Sequence, residues 1–207
     1  MKPKELVINA RKPEGYWGEQ MIASMNEGHY ELTSWGLGFV SIHKDDQILD
    51  VGCGGGMAVQ RMAALTENGT VIGVDYSELS VEKASELNRK EIENGKVKIL
   101  QASVSNLPFQ EGQFDLVTGI ETFYFWPDPI GDLKEVLRVL KKGGRLLLVF
   151  EIVLNENDPD QWKTYEEWIQ IKAPSKESLM EQLTKAGYRN IRIDINERNW
   201  MCAVAEK

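Results

Sequence analysis

The sequence predicts a three-layer α/β fold: a seven-stranded, mostly parallel sheet with an antiparallel last strand, flanked by helices and preceded by an N-terminal helical cap. Three observations carry this reading. From residue 47 onward, short β-branched or aliphatic runs alternate with helix-period segments, the pattern of βαβ units around a parallel sheet. Arg145 to Val153 is nearly continuous apolar sequence, as a central strand covered on both faces requires. Near the end of the chain, Asn196 to Asn199 is too short for a crossover helix, so the strands on either side of it pair antiparallel.

In chain order, residues 1–43 have an aromatic-rich helical character and form the cap. Gln47 to Val51 is the first strand, and Gly52 to Gly56 punctuates its end. Met57, Ala58, Val59, Met62, Ala63 and Leu65 give a helix stopped at Asn68-Gly69, and Thr70 to Val74 is the second strand. Ser77 caps one helix running to about Glu93, and Val97 to Gln101 is the third strand. Phe114 to Gly119 is the fourth. Leu133, Val136, Leu137 and Leu140 recur at helical spacing on a helix ending at Lys141-Lys142-Gly143-Gly144, before the strand Arg145 to Val153. Glu151 is the one charge breaking the apolar part of that run, near the end where such sheets place ligands. Residues 154–174, rich in Asn, Asp, Pro and Trp, read as an insertion over the site. Ser175 caps a helix carrying Leu179, Met180, Leu183 and Ala186 and stopped by Gly187. The alternation of Ile191, Ile193 and Ile195, then Trp200 to Ala205, completes the sheet. All 207 residues form one domain, its core being 44–153 and 175–207.

Charge and residue counts exclude several functions. With 24 Lys plus Arg against 32 Asp plus Glu the net charge is −8, which repels a phosphate backbone, so nucleic acid is not the expected partner. Cys53 and Cys202 are too few for a disulfide scaffold, and His29 and His43 show no metal-ligand spacing, so no metal is expected. Leu6-Val7-Ile8 is far short of a secretory apolar segment and Leu146 to Phe150 cannot span a bilayer, which places the protein in the cytoplasm without a membrane partner.

The informative stretch is Ile48-Leu49-Asp50-Val51-Gly52-Cys53-Gly54-Gly55-Gly56, a buried strand running into closely spaced glycines. Such a loop offers backbone N–H groups to a ligand without Cβ interference at the mouth of the next helix. Read as the dinucleotide pattern G-x-G-x-x-G it fails at Met57; what stands is D-x-G-x-G-x-G. Nineteen residues after Gly56 the second strand ends in Gly73-Val74-Asp75, where a carboxylate is placed to accept from both ribose hydroxyls.

With DVGCGGG at 50–56, VIGVDYS at 71–77, NLPFQEGQFDLV at 106–117 and LKEVLRVLKKGGRLLL at 133–148, the chain resembles the class I S-adenosylmethionine-dependent methyltransferases over about residues 44–150, in particular the group that includes the ubiquinone and menaquinone biosynthesis enzymes. The resemblance implies a Rossmann-like fold with S-adenosylmethionine as cofactor, S-adenosylhomocysteine as product and a small-molecule acceptor. It puts Asp50, Gly52, Cys53, Gly54 and Gly56 at the methionine end of the cofactor, Asp75 on the ribose and Tyr76 against the adenine. Ser103, where the family usually carries Asp, and the adjacent Val104 fall at the adenine amino group, and Glu121 falls beside the cofactor. Cys53 reads as a small loop filler rather than a nucleophile. His29, Glu121 and Tyr124 are the candidates for catalysis, and the aromatic block 123–126 lines an acceptor pocket or packs under the cap. Glu121-Thr122-Phe123-Tyr124 is not the N-P-P-Y motif of enzymes methylating adenine or glutamine amides, and the paired acidic ligands of magnesium-dependent catechol-type enzymes are not evident. Two rival readings stand beside this one: a cofactor-binding module or inactive subunit, and a nicotinamide-dependent oxidoreductase, which Met57 disfavours.

Overall fold

The computed structural model describes residues 2–155 and 157–207; Met1, in the predicted cap, and Glu156, in the predicted insertion, lie outside the described residues. Seven strands form one sheet: β1 (Gln47–Val51), β2 (Thr70–Asp75), β3 (Val97–Gln101), β4 (Phe114–Ile120), β5 (Leu140–Phe150), β6 (Arg189–Ile195) and β7 (Met201–Glu206), in the order β3-β2-β1-β4-β5-β7-β6. The pairs β1/β2, β1/β4, β2/β3 and β4/β5 are parallel, and β7 runs antiparallel to both β5 and β6. The predicted antiparallel last strand is therefore present.

Period-two alternation divides the core between two helical layers. Leu146, Leu148 and Phe150 join Leu133 and Val136 of α7 (Pro129–Val139) and Leu179 and Leu183 of α9 (Lys176–Ala186). Leu147 and Val149 face the opposite way, towards Leu32 of α3 (Tyr30–Leu37), Met62 of α4 (Met57–Leu65) and Ala84 of α5 (Glu78–Leu87). Each such side chain, fully withdrawn from water, contributes about 1.5–3 kcal/mol. The cap segment thus has two parts. Its end, α3, belongs to a core layer, where Gly36 comes so near Val149 that a Cβ would overlap the valine methyls. Its beginning, α1 (Lys4–Val7) and α2 (Gly15–Gly28), lies towards the carboxyl end of the sheet. There Val7 packs with Ile152, Ile169 and Ala173, the isoleucine at 169 closing α8 (Lys163–Ile169).

Two predicted elements are corrected. The helix expected from Ser77 to Glu93 breaks at Asn88, leaving α5 and a separate α6 (Arg89–Glu93). Fully buried Asn88 donates its side-chain amide to the carbonyls of Ala84 (2.9 Å) and Gly56 (3.1 Å), a local bond that competes with continued helix and pins the glycine loop to α5. The other correction concerns the strand expected from Arg145 to Val153, which starts at Leu140, directly after α7, and stops at Phe150. It stops because the Glu151 N–H donates to the Glu121 carboxylate rather than to a neighbouring strand. The extended Lys141-Lys142-Gly143-Gly144 is accommodated by an irregularity in the β4/β5 register and a left-handed Gly143.

Strand order reverses between β1 and β4, and in such sheets ligands bind outside the carboxyl ends at that switch point. The loop after β1, Asp75 at the end of β2, Glu121 after β4 and Glu151 after β5 all lie along that edge.

Candidate active site at the carboxyl edge of the sheet

The loop after β1 is held by its own backbone. Gly52 and Cys53 donate to the Val74 carbonyl at 2.8 and 3.0 Å, and Gly56 to the Cys53 carbonyl at 2.9 Å. Gly52, Gly54 and Gly56 all have left-handed φ (+73°, +51° and +80°), yet they do different work. A Cβ on Gly52 would overlap Thr122, and one on Gly56 would press on Ala84 and Asn88; these two glycines let the loop pack. A Cβ on Gly54 would meet nothing within 4 Å, because Gly54 opens onto a cavity of about 790 Å³.

Of the residues singled out in the sequence, Asp50, Gly52, Cys53, Gly54, Asp75 and Tyr76 all line this cavity. The carboxylate of Asp75, 8% exposed, accepts from the N–H groups of Gly54 and Ser77, each at 2.9 Å, and so fixes the loop to the end of β2. Burial raises its pKa, and those backbone bonds pull the other way. Asp50, 2% exposed, accepts from the Thr118 hydroxyl at 2.5 Å; burial pushes its carboxyl up to about 7. Burial and the neighbouring charges of Asp75 and Asp50 push the Cys53 thiol up, which keeps it protonated and unsuited to nucleophilic attack. Tyr76 is 40% exposed, its hydroxyl donating to the Arg11 carbonyl and its ring on the cavity wall.

Four predicted positions do not reach this cavity. Gly56 caps α4 from beneath, and Tyr124 belongs to a neighbouring cavity. Exposed Ser103 turns its hydroxyl to the Ser105 N–H (3.2 Å) and bridges to Asn106, while Val104 is buried in the core.

His29 and Glu121 also line this cavity. His29 occupies the junction between α2 and α3. Glu121 has a left-handed backbone, φ +59°, uncommon for a residue with a side chain. Its carboxylate, 9% exposed, accepts from the Tyr124 hydroxyl and from the Glu151 N–H. Burial pushes the Glu121 carboxyl up to about 7 and the Tyr124 hydroxyl well above its ordinary value, and it lowers the His29 imidazole. These groups also border a second cavity, of about 860 Å³, walled by Met21, Phe125, Trp162, Tyr165 and Ile169. The two cavities meet at Met25, His29, Glu121 and Phe125.

Sequence reasoning missed two contributors. Asn26 of α2 lies against Gly55, where an added Cβ would strike it, and lines the first cavity. Glu151 brings an oxygen to 3.9 Å from His29 Nε2, with Glu121 at 4.0 Å, a grouping that the spacing of the histidines and cysteines did not reveal. Glu121 and Glu151 are 30 residues apart, and no local spacing reveals them; the visible trace was a charge at the end of an apolar run. Among the described residues, no helix is long and apolar enough to cross a membrane.

Comparison with known proteins agrees with this geometry. Residues 49–148 match the family described as Methyltransferase domain. The chain is 33% identical over 134 residues, 65% of its length, to the 27-O-demethylrifamycin SV methyltransferase of Amycolatopsis mediterranei (strain S699), but spans only 48% of that enzyme. Its fold is similar to that of a chain from the complex between the Haloferax volcanii Trm112 methyltransferase activator and a methyltransferase (TM-score 0.79, 20% identity, covering 100% of this chain and 99% of that one). It is also similar to a SAM-dependent methyltransferase from Aquifex aeolicus (TM-score 0.74, 21% identity, 90% and 96% covered). Residues 49–148 therefore belong to the methyltransferase-domain family, set in a seven-stranded sheet with the fold of solved methyltransferases.

Proposed function

We propose that the protein transfers a methyl group from S-adenosylmethionine to a small-molecule acceptor held in the second cavity. The observation that carries this reading is the junction: the cavity onto which Gly54 opens meets the second cavity at His29 and Glu121. The cavity residues fit the cofactor chemically. Asp75 would take the ribose hydroxyls, Tyr76 the adenine face, and Gly54, Asn26 and Asp50 the methionine end. Bound there, S-adenosylmethionine supplies an electrophilic methyl on a sulfonium, and the chain's part is to align donor and acceptor and exclude water. Glu121, Tyr124 and His29 stand on the acceptor side and orient its nucleophilic atom. A relative named for a demethylated rifamycin supports a small acceptor. The free, buried Cys53 and Cys202 suit a reducing compartment such as the cytoplasm.

Calorimetric titration with S-adenosylhomocysteine, followed by methyl transfer across an acceptor panel, tests this reading. His29→Ala and Tyr124→Phe are expected to lower turnover at least tenfold and to change cofactor affinity less than threefold. Full turnover in both variants would return these residues to a packing role. Binding without transfer to any acceptor would favour a cofactor-binding subunit instead.

A pH dependence follows from Asp50. Below about 7 its carboxyl is neutral, and above it is charged, the form that attracts the cationic methionine end. S-adenosylmethionine affinity is therefore expected to rise several-fold between pH 6 and pH 8. Asp50→Asn should flatten the rise; an unchanged slope in that variant would assign it to other groups.

A further inference from the structure

We propose that His29, Glu121 and Glu151 form a binding site for a first-row divalent cation at the junction of the two cavities. His29 Nε2 lies 4.0 Å from Glu121 Oε2 and 3.9 Å from Glu151 Oε2, and the three donor atoms all fall within 4.8 Å of one another. Ligand atoms around one ion at about 2.1 Å stand roughly 3.0–3.4 Å apart, so shifts of about an ångström or less close this group on an ion.

Two independent features point the same way. Among the described residues neither carboxylate has a Lys or Arg nitrogen within 4 Å; His29 lies within that distance of both, and Lys2 acts on Glu151 from farther off. A carboxylate as buried as Glu121 either stays protonated or has a cationic partner, which a bound ion would supply. In addition, Glu121 is already oriented. The Tyr124 hydroxyl and the Glu151 N–H hold its two oxygens, which leaves a lone pair on Oε2 directed at the cluster, the arrangement by which outer hydrogen bonds fix a ligating carboxylate. Glu151, its side chain 43% exposed, is the arm with room to swing in.

One imidazole nitrogen with two carboxylate oxygens suits Mn²⁺, Fe²⁺, Co²⁺ or Zn²⁺, whereas Ca²⁺ takes six to eight oxygens. Three protein ligands would leave coordination positions open, and all three residues line the second cavity. The ion's role rests on the function proposed above: it would select acceptors that offer a hydroxyl or carboxylate oxygen.

The test is a Mn²⁺ titration of the chelator-stripped full chain, read by loss of the free-ion paramagnetic resonance signal, with Zn²⁺ calorimetry alongside. About one ion per chain is expected. His29→Ala and Glu151→Gln, each shown folded by circular dichroism, should weaken it at least tenfold. No saturable binding of either ion to the wild type, or unchanged binding in both variants, overturns the site. A parallel S-adenosylhomocysteine titration of the stripped wild type separates the two readings. Cofactor binding without ion binding removes the cation site alone, and ion binding without cofactor binding removes the methyl-transfer reading alone.

Discussion

Gly54→Val is expected to lower S-adenosylmethionine affinity at least a hundredfold in a protein that still folds. The valine branches would enter space that no protein atom fills, the same space the cofactor needs to meet the loop. At φ +51° a β-branched residue adds backbone strain of about 1–3 kcal/mol, tolerable against the 5–15 kcal/mol typical of a domain. Gly52→Val is the contrasting variant: its side chain would collide with Thr122, so it should unfold rather than merely lose ligand. Calorimetry on Gly54→Val, with circular dichroism as the check on folding, decides the matter. Near-normal affinity would take the loop out of the cofactor site.

Asp75→Ala is expected to be the next most damaging change, for two reasons that add. The carboxylate organises the loop through Gly54 and Ser77, and on the function proposed above it would also receive the ribose hydroxyls. Hydrogen bonds to a charged acceptor are worth about 1.5–3 kcal/mol each, and about 1.4 kcal/mol is a decade of affinity, so a loss of at least tenfold is the floor. Ser103→Ala should cost less than about threefold, because that hydroxyl is spent on the Ser105 N–H and does not border the cavity. Titrating both variants checks the assignment: a Ser103→Ala loss matching that of Asp75→Ala would place the ribose elsewhere.

The parts of the molecule legible in the sequence are those built from neighbours in the chain. Gln47 to Val51 followed by glycines announces a buried strand and a ligand loop, and Asp75 at the end of the next strand completes that half of the site within 30 residues. The layered core was equally visible in the apolar run ending at Phe150. What escaped comes from tertiary meetings. The distinct duties of Gly52 and Gly54 depend on whether Thr122 or empty space lies opposite. The helix break at Asn88 depends on a carbonyl 32 residues away. Ser103 was placed by resemblance, and a tight turn directs its hydroxyl elsewhere. Glu151 joins His29 across 122 residues, a distance at which spacing rules say nothing.

The meeting of two cavities at a few shared side chains has a consequence for how this molecule can change. Gly54 and Asp75 border only the first cavity, and Trp162, Tyr165 and Ile169 only the second. Sites that share no partners respond to substitution nearly independently. On the proposed function, replacements at Trp162, Tyr165 and Ile169 would therefore reshape the acceptor wall without disturbing the cradle on β1 and β2. Under that function, variation along this wall would exchange one acceptor for another while the donor stays the same.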